Sequence, residues 1–115
     1  GKDSYRHKAA GADRVILASS RKYAVVKSTE EEMSLERFIE MQADMDIVLF
    51  EGYKMSPYRK YEVVRKEVSD HLVCDPKTLY GIITDHGRDW AERQTNEAVS
   101  VFDLSDMDGV MAEIQ

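Results

Sequence analysis

Apolar residues change their spacing several times along this chain, and each change marks an element. In residues 3–12, Tyr5, Ala9 and Ala12 share one helical stripe, Asp3 or Ser4 is available as the cap, and Ala10-Gly11-Ala12 supplies the stop. Two β-branched runs, residues 14–20 and 23–28, follow with only a basic pair between them, and each has strand length. Thr29 and Glu32 have the spacing of a capping box, and Leu35, Phe38, Ile39 and Gln42 continue at helical spacing, which predicts a helix with a narrow apolar stripe. The acids Glu30, Glu31 and Glu32 fit the positive end of that helix better than a metal site.

Residues 47–50, Ile-Val-Leu-Phe, show no alternation, so they predict a strand covered on both faces, as in a parallel sheet beneath helices. Residues 60–67 alternate and read as a more exposed strand. A polar excursion broken by Pro76 leads into a short buried run, residues 80–85, that ends in a carboxylate. Gly87 opens a charged, turn-rich or helical stretch to about Ala98, residues 99–102 form a last strand, and Ser105 or Asp106 caps a terminal helix carrying Val110, Met111 and Ile114. Strands interleaved with helices predict one α/β domain over residues 1–115 with a largely parallel sheet.

Composition narrows the partners. The 115 residues are 43% hydrophobic and 33% charged, and no segment approaches the roughly 20 apolar residues of a membrane helix. Acidic side chains outnumber basic ones 22 to 16, for a formal charge of −6, so the general attraction behind nucleic-acid binding is missing. One cysteine, Cys74, excludes an internal disulfide, no Cys/His set has zinc spacing, and the opening residues are too polar for a secretory signal. A reducing cytoplasm is the expected compartment.

Three expected strands end in acid: Glu51, Asp85 and Asp103. Ligands of open α/β sheets bind at the carboxyl ends of strands, where loops converge. Glu51 reads either as a magnesium or water ligand beside a nucleotide phosphate or as a strand-end acid that caps nearby amides. Asp85 reads as a base-edge acceptor or as a turn carboxylate before Gly87. Asp103 is expected to cap the terminal helix. His7, His71 and His86 have no metal-pair spacing and read as surface residues, and Cys74 reads as structural. Tyr53, Tyr58 and Tyr61 alternate with Lys54, Arg59, Lys60 and Arg65, a pattern that suits either an anion- or partner-binding loop or a solvated one.

The residues also carry a resemblance. "GKDSYRHKAAGA", "VILASSRKYAVV" and "DIVLFEGYK", then more loosely "GIITD" and "VFDLSDMDGVMAEI", resemble in this order the MobB family of molybdopterin-guanine dinucleotide biosynthesis proteins. The resemblance implies a P-loop NTPase-like, mostly parallel sheet flanked by helices. It implies GTP and Mg2+ as ligands, and a MobA-like molybdopterin nucleotidyltransferase as partner. On it, Glu51 ends the second strand of the nucleotide site and acts on Mg2+ directly or through water. Asp3 and Ser4 lie near the site, Thr84 and Asp85 stand on its base side, and Lys54, Tyr58, Arg59 and Lys60 form a partner or anion loop.

The sequence departs from the family in one respect. No G-x-x-x-x-G-K-[ST] phosphate loop occurs, and the only Gly-Lys pair, Gly1-Lys2, is followed by Asp3. The chain is therefore expected to be the C-terminal major part of a MobB-like domain, truncated at its N-terminus, inactive in GTP hydrolysis by itself and prone to homo-oligomerise through open strand edges. Two other readings stand beside this one. The first is a partner- or pterin-binding module of the same descent without nucleotide chemistry, and the second is a small α/β regulatory domain whose strand-end acids hold a cation.

Overall fold

The computed structural model describes residues 2–115, and the chain divides into two compact units, one ending at Val48 and the other running from Leu49 to Gln115. In the first unit, helix α1 (Lys2–Ala9) closes on Gly11, whose φ of +97° supplies the left-handed step a helix end favours. The amides of Ala10, Gly11 and Ala12 donate to the last turn's carbonyls at 3.0–3.1 Å. Because the helix already runs at Lys2, Asp3 and Ser4 sit in its first turn instead of capping it. Tyr5 of the expected stripe is exposed, and α1 buries no residue.

Strands β1 (Arg14–Ala18) and β2 (Tyr23–Lys27) pair antiparallel, with Val15 opposite Val26 and Ile16 opposite Val25. The Ser19 amide donates to the Lys22 carbonyl across the turn (2.8 Å), and the Ser28 amide donates to the Asp13 carbonyl at the open end (3.0 Å). Lys8 Nζ donates to Ser28 Oγ and ties helix to hairpin. Val15 is the buried residue of this ribbon, and every residue of β2 is exposed.

Helix α2 (Leu35–Met41) starts later than its capping-box spacing predicts. Ser34, extended at φ −66° and ψ 150°, accepts from the Arg37 amide (3.3 Å) and is the cap. Ser34 directly precedes the first apolar position of the stripe, so capping there lets Leu35 be buried at once. Thr29 and the three glutamates stay outside the helix.

The run 47–50 is also not the strand that its composition predicts. Its backbone is irregular, with Ile47 56% and Leu49 75% exposed. A strand needs a neighbour for its amides and carbonyls, and one that is apolar on both faces needs cover on both. No strand pairs with it among the described residues.

The second unit holds the parallel sheet. Strands β3 (Lys60–Val64), β4 (Leu79–Thr84) and β5 (Ser100–Phe102) lie in the order β3-β4-β5, and both pairings are parallel. β3 reaches β4 through an irregular crossover, residues 65–78, that closes in a short 3-10 turn at Pro76–Thr78 capped by Asp75. β4 reaches β5 through α3 (Arg88–Arg93), and α4 (Met107–Ile114) follows β5. The register aligns Glu62, Ile82 and Val101 on one face and Tyr61, Gly81 and Ser100 on the other.

The first face carries the core. Leu79, Ile82 and Ala91 of α3 are essentially inaccessible and pack with Cys74, flanked by Leu72, Trp90 and Val101. On the second face Glu113 of α4 accepts from the Tyr61 hydroxyl (2.7 Å) and the Ser100 hydroxyl (2.6 Å), which seats the terminal helix. Gly81 is required there. A Cβ would stand 2.9 Å from the Ser100 carbonyl oxygen and 3.0 Å from the Tyr61 ring.

Candidate functional site

Two successive left-handed residues follow Glu51: Gly52 at φ +91° and Tyr53 at φ +52°. Glycine adopts this conformation without penalty, but tyrosine does so rarely, at a cost on the order of 1 kcal/mol. The Ser56 amide closes the turn on the Tyr53 carbonyl (3.0 Å), and the Phe50 and Tyr53 rings meet edge-on at 6.3 Å. The reversal leaves Glu51 exposed, with no hydrogen bond or ion pair among the described residues.

Glu51 lines a cavity of about 580 Å³ together with Lys54, Arg59 and Lys60. Tyr58 is not part of that wall. The three cations are held differently. Lys54 is exposed. The Arg59 guanidinium donates to the Leu79 carbonyl (3.0 Å) and lies 4.1 Å from the Tyr80 ring centre, a cation–π contact. Lys60 Nζ donates to the Ser56 carbonyl (2.6 Å). The loop is therefore partly built into the protein, with its positive charge concentrated beside one open carboxylate.

At the carboxyl ends of the strands the acids bind the chain's own amides. Thr84 is buried and its Oγ1 accepts from the His86 amide (3.0 Å), while Asp85 Oδ1 accepts from the Lys66 amide (2.8 Å). Asp103 Oδ1 accepts from the Ser105 amide (3.0 Å) and hydroxyl (2.7 Å), and these donors hold its carboxyl below the usual carboxylate range. Asp103 is not the cap of α4. That role belongs to Asp106, which stands next to the first helical residue and accepts from the Gly109 amide (3.0 Å). A smaller crevice of about 230 Å³ lies here, lined by Thr84, Gly87, Arg88, Phe102 and Asp103 among others. Glu51 and Thr84 thus belong to separate hollows of the second unit, and Asp3 and Ser4 belong to the first unit.

Glu62 carries a role that its alternating strand does not announce. It is 8% exposed, Oε1 accepts from the Val73 amide (2.6 Å), and Oε2 accepts from the Cys74 amide (3.0 Å). The signal was its position: Glu62 shares parity with Val64, so an acid stands on the apolar side of the alternation. Burial first, then the nearby Glu62 charge, pushes the Cys74 thiol up, and an unreactive structural cysteine results.

His86 is half-buried and held by neighbours. Its ring stacks on Trp90 at 4.0 Å and 12°, and Nε2 lies 2.7 Å from the Ser69 carbonyl oxygen. A carbonyl only accepts, so Nε2 carries the proton. His71 is exposed and lies 3.0 Å from Asp70, whose carboxyl it holds low. No group of three or more His, Cys, Asp or Glu is placed to hold a metal ion among the described residues.

The family model for MobB, molybdopterin guanine dinucleotide synthesis protein B, matches residues 1–85. The chain belongs to the MobB family. It is similar to the molybdopterin-guanine dinucleotide biosynthesis adapter protein of Haemophilus influenzae, 39% identical over 89 residues, covering 75% of this chain and 49% of that protein. It is also similar to the Escherichia coli protein of the same name, 28% identical over 117 residues, covering 96% of this chain and 62% of the relative. The chain therefore spans about half of the first relative and somewhat more of the second. The solved structure of Bacillus subtilis MobB shares the fold, with a TM-score of 0.63 at 23% identity over 96% of this chain and 71% of that one. The expected fold class, a P-loop NTPase-like parallel sheet flanked by helices, is borne out, and so is the resemblance to MobB. The family match runs through the Glu51-Gly52-Tyr53-Lys54 turn. No helix among the described residues is long and apolar enough to cross a membrane.

Proposed function

We propose that this chain serves as a GTP-binding adapter in molybdopterin-guanine dinucleotide biosynthesis and that Glu51 is the metal-side residue of its nucleotide site. One observation carries the reading. The family match crosses a left-handed turn that leaves Glu51 without a partner among the described residues, beside a cavity bearing Lys54, Arg59 and Lys60. Mg2+ is commonly held by one or two carboxylates, with phosphate and water completing the shell, so a lone open acid fits it and a protein-only cage is not needed. Bound there, the ion neutralises phosphate charge. Glu51 orients it directly or through a water, and the three cations balance the remaining negative charge.

The sequence holds no phosphate-cradling loop, whose amides and lysine would grip the β- and γ-phosphates. This polypeptide accordingly binds GTP weakly and does not hydrolyse it by itself. Thr84 and Asp85 accept from backbone amides at the strand ends, and their base-side role rests on the resemblance. Asp3 and Ser4 rest on the resemblance alone. The working complex is cytoplasmic, homo-oligomeric and engages a MobA-like nucleotidyltransferase.

Calorimetric titration with GTP, with and without Mg2+, tests the reading. Weak binding that needs Mg2+ and disappears in Glu51→Gln is expected. Binding that Glu51→Gln or removal of Mg2+ leaves unchanged takes Glu51 out of the site.

A further inference from the structure

Every residue that lines the crevice of about 230 Å³ lies between Thr84 and Asp103, within the unit formed by β4, α3 and β5. β4 and β5 pair in parallel, and the crevice sits at their carboxyl ends, where open α/β sheets bind ligands. Two of its polar groups are only half used. Thr84 is 2% exposed, and its Oγ1 accepts from the His86 amide, but its hydroxyl hydrogen meets no acceptor among the described residues. Asp103 Oδ1 accepts from the Ser105 amide and hydroxyl, while Oδ2 accepts from no donor there. The donors to Oδ1 also keep Asp103 ionised. A buried donor and a charged acceptor on one wall call for a ligand that offers the opposite pair.

We propose that this crevice receives the amino-oxo-pyrimidine edge that guanine and pterin rings share, with Thr84 donating to the ring's oxo group and Asp103 Oδ2 accepting from its N–H and exocyclic amino groups. Pockets for drug-sized ligands run to about 300–1,000 Å³, so this smaller crevice suits a single ring system. Phe102 and Arg88 supply planar groups on which a ring can stack. The Arg88 guanidinium is already steadied by the Val101 carbonyl (3.4 Å) and the Glu92 carboxylate (3.9 Å). An adenine edge is rejected, because it turns a bare ring nitrogen toward the Asp103 carboxylate and offers Thr84 an amino group in place of the oxo oxygen. A cation fits less well, since one free carboxylate oxygen is too few ligands and no metal-binding group occurs among the described residues. Recognition of this edge deepens the nucleotide reading and rests on it for the purine source.

The test is titration of the ¹⁵N-labelled chain with guanosine, pterin, adenosine and xanthosine, followed at the amides of Gly87 and Ser105. Guanosine or pterin should move both amides and bind at least tenfold more tightly than adenosine, and the tighter of the two names the source of the ring. Asp103→Asn keeps an oxygen for Ser105, so the turn survives, with Trp90 fluorescence confirming the fold. It should weaken guanosine at least tenfold and bring in xanthosine, whose 2-oxo group accepts from the new amide. Three results overturn the proposal: neither guanosine nor pterin moves the two amides, adenosine binds as well as they do, or Asp103→Asn leaves the preference among the rings unchanged. These probes carry no phosphate and need no Mg2+, so their failure leaves the Glu51 reading standing. Loss of Mg2+-dependent GTP binding in Glu51→Gln, in turn, says nothing about Asp103.

Discussion

The two units solve the problem of backbone satisfaction in opposite ways. In the first, an antiparallel hairpin meets its hydrogen-bonding needs from sequence neighbours and leaves every residue of β2 exposed. In the second, three parallel strands must be brought together across long connections, and they close over Leu79, Ile82 and Ala91. Local pairing forms an element without a core, whereas parallel pairing requires one. Stability should therefore be concentrated in the second unit, and Trp90, the chain's one tryptophan, reports on it directly.

The strongest challenge to this contrast is Ile82→Ala. Ile82 is 0% exposed at the centre of the sheet, so the change should destabilise the second unit by about 2–5 kcal/mol in urea followed by Trp90 fluorescence. A loss below about 1 kcal/mol would mean that the apparent core carries little of the fold. Next is Glu62→Ala, which leaves the Val73 and Cys74 amides without their acceptor and should cost about 1–3 kcal/mol by the same measurement. Glu62→Gln should cost less, since one amide keeps an oxygen.

A smaller effect depends on pH. Burial first, then the hydrogen bond to Glu113 and its charge, push the Tyr61 hydroxyl up from 10.0 to about 12. A folded-state value above the unfolded one means that this contribution is complete below pH 10 and is lost as pH rises toward 12. Urea unfolding at successive alkaline pH values should show that decline, and Tyr61→Phe should flatten it. An unchanged slope would detach the Tyr61–Glu113 contact from the stability of α4. Smallest of all is Val25→Thr on the exposed hairpin, expected to shift stability by less than about 0.5 kcal/mol. A loss as large as that of Ile82→Ala would erase the distinction between the units.

The same distinction explains what could be read from the residues. The two strands of the first unit, the mostly buried run 81–84 and a cap at residue 105 or 106 were legible because composition and capping act over a few positions. The start of α2 was misplaced because two local caps, Thr29 and Ser34, competed, and apolar burial favoured the second. His86 looked solvent-exposed because the sequence does not reveal that the Ser69 carbonyl meets its Nε2 and that Trp90 stacks on its ring. At the site, the resemblance singled out Glu51 and its cationic neighbours, and the structure brings them to one cavity. Thr84 and Asp85 each accept a backbone amide, the turn role that the residues had left open for Asp85 beside a ligand-facing one.

Residue order alone was enough for the MobB family, the α/β class, the charge balance and the elements whose hydrogen bonds close within a few residues. Tertiary structure decided the rest. It left the apolar run 47–50 irregular, turned Glu62 inward onto two crossover amides and left Glu51 open beside a cationic hollow. The physical reason is the range of the interactions involved. A helix cap or hairpin turn finds its partners nearby in the chain, but a strand exists only beside another strand, and a buried acid persists only where distant amides converge on it.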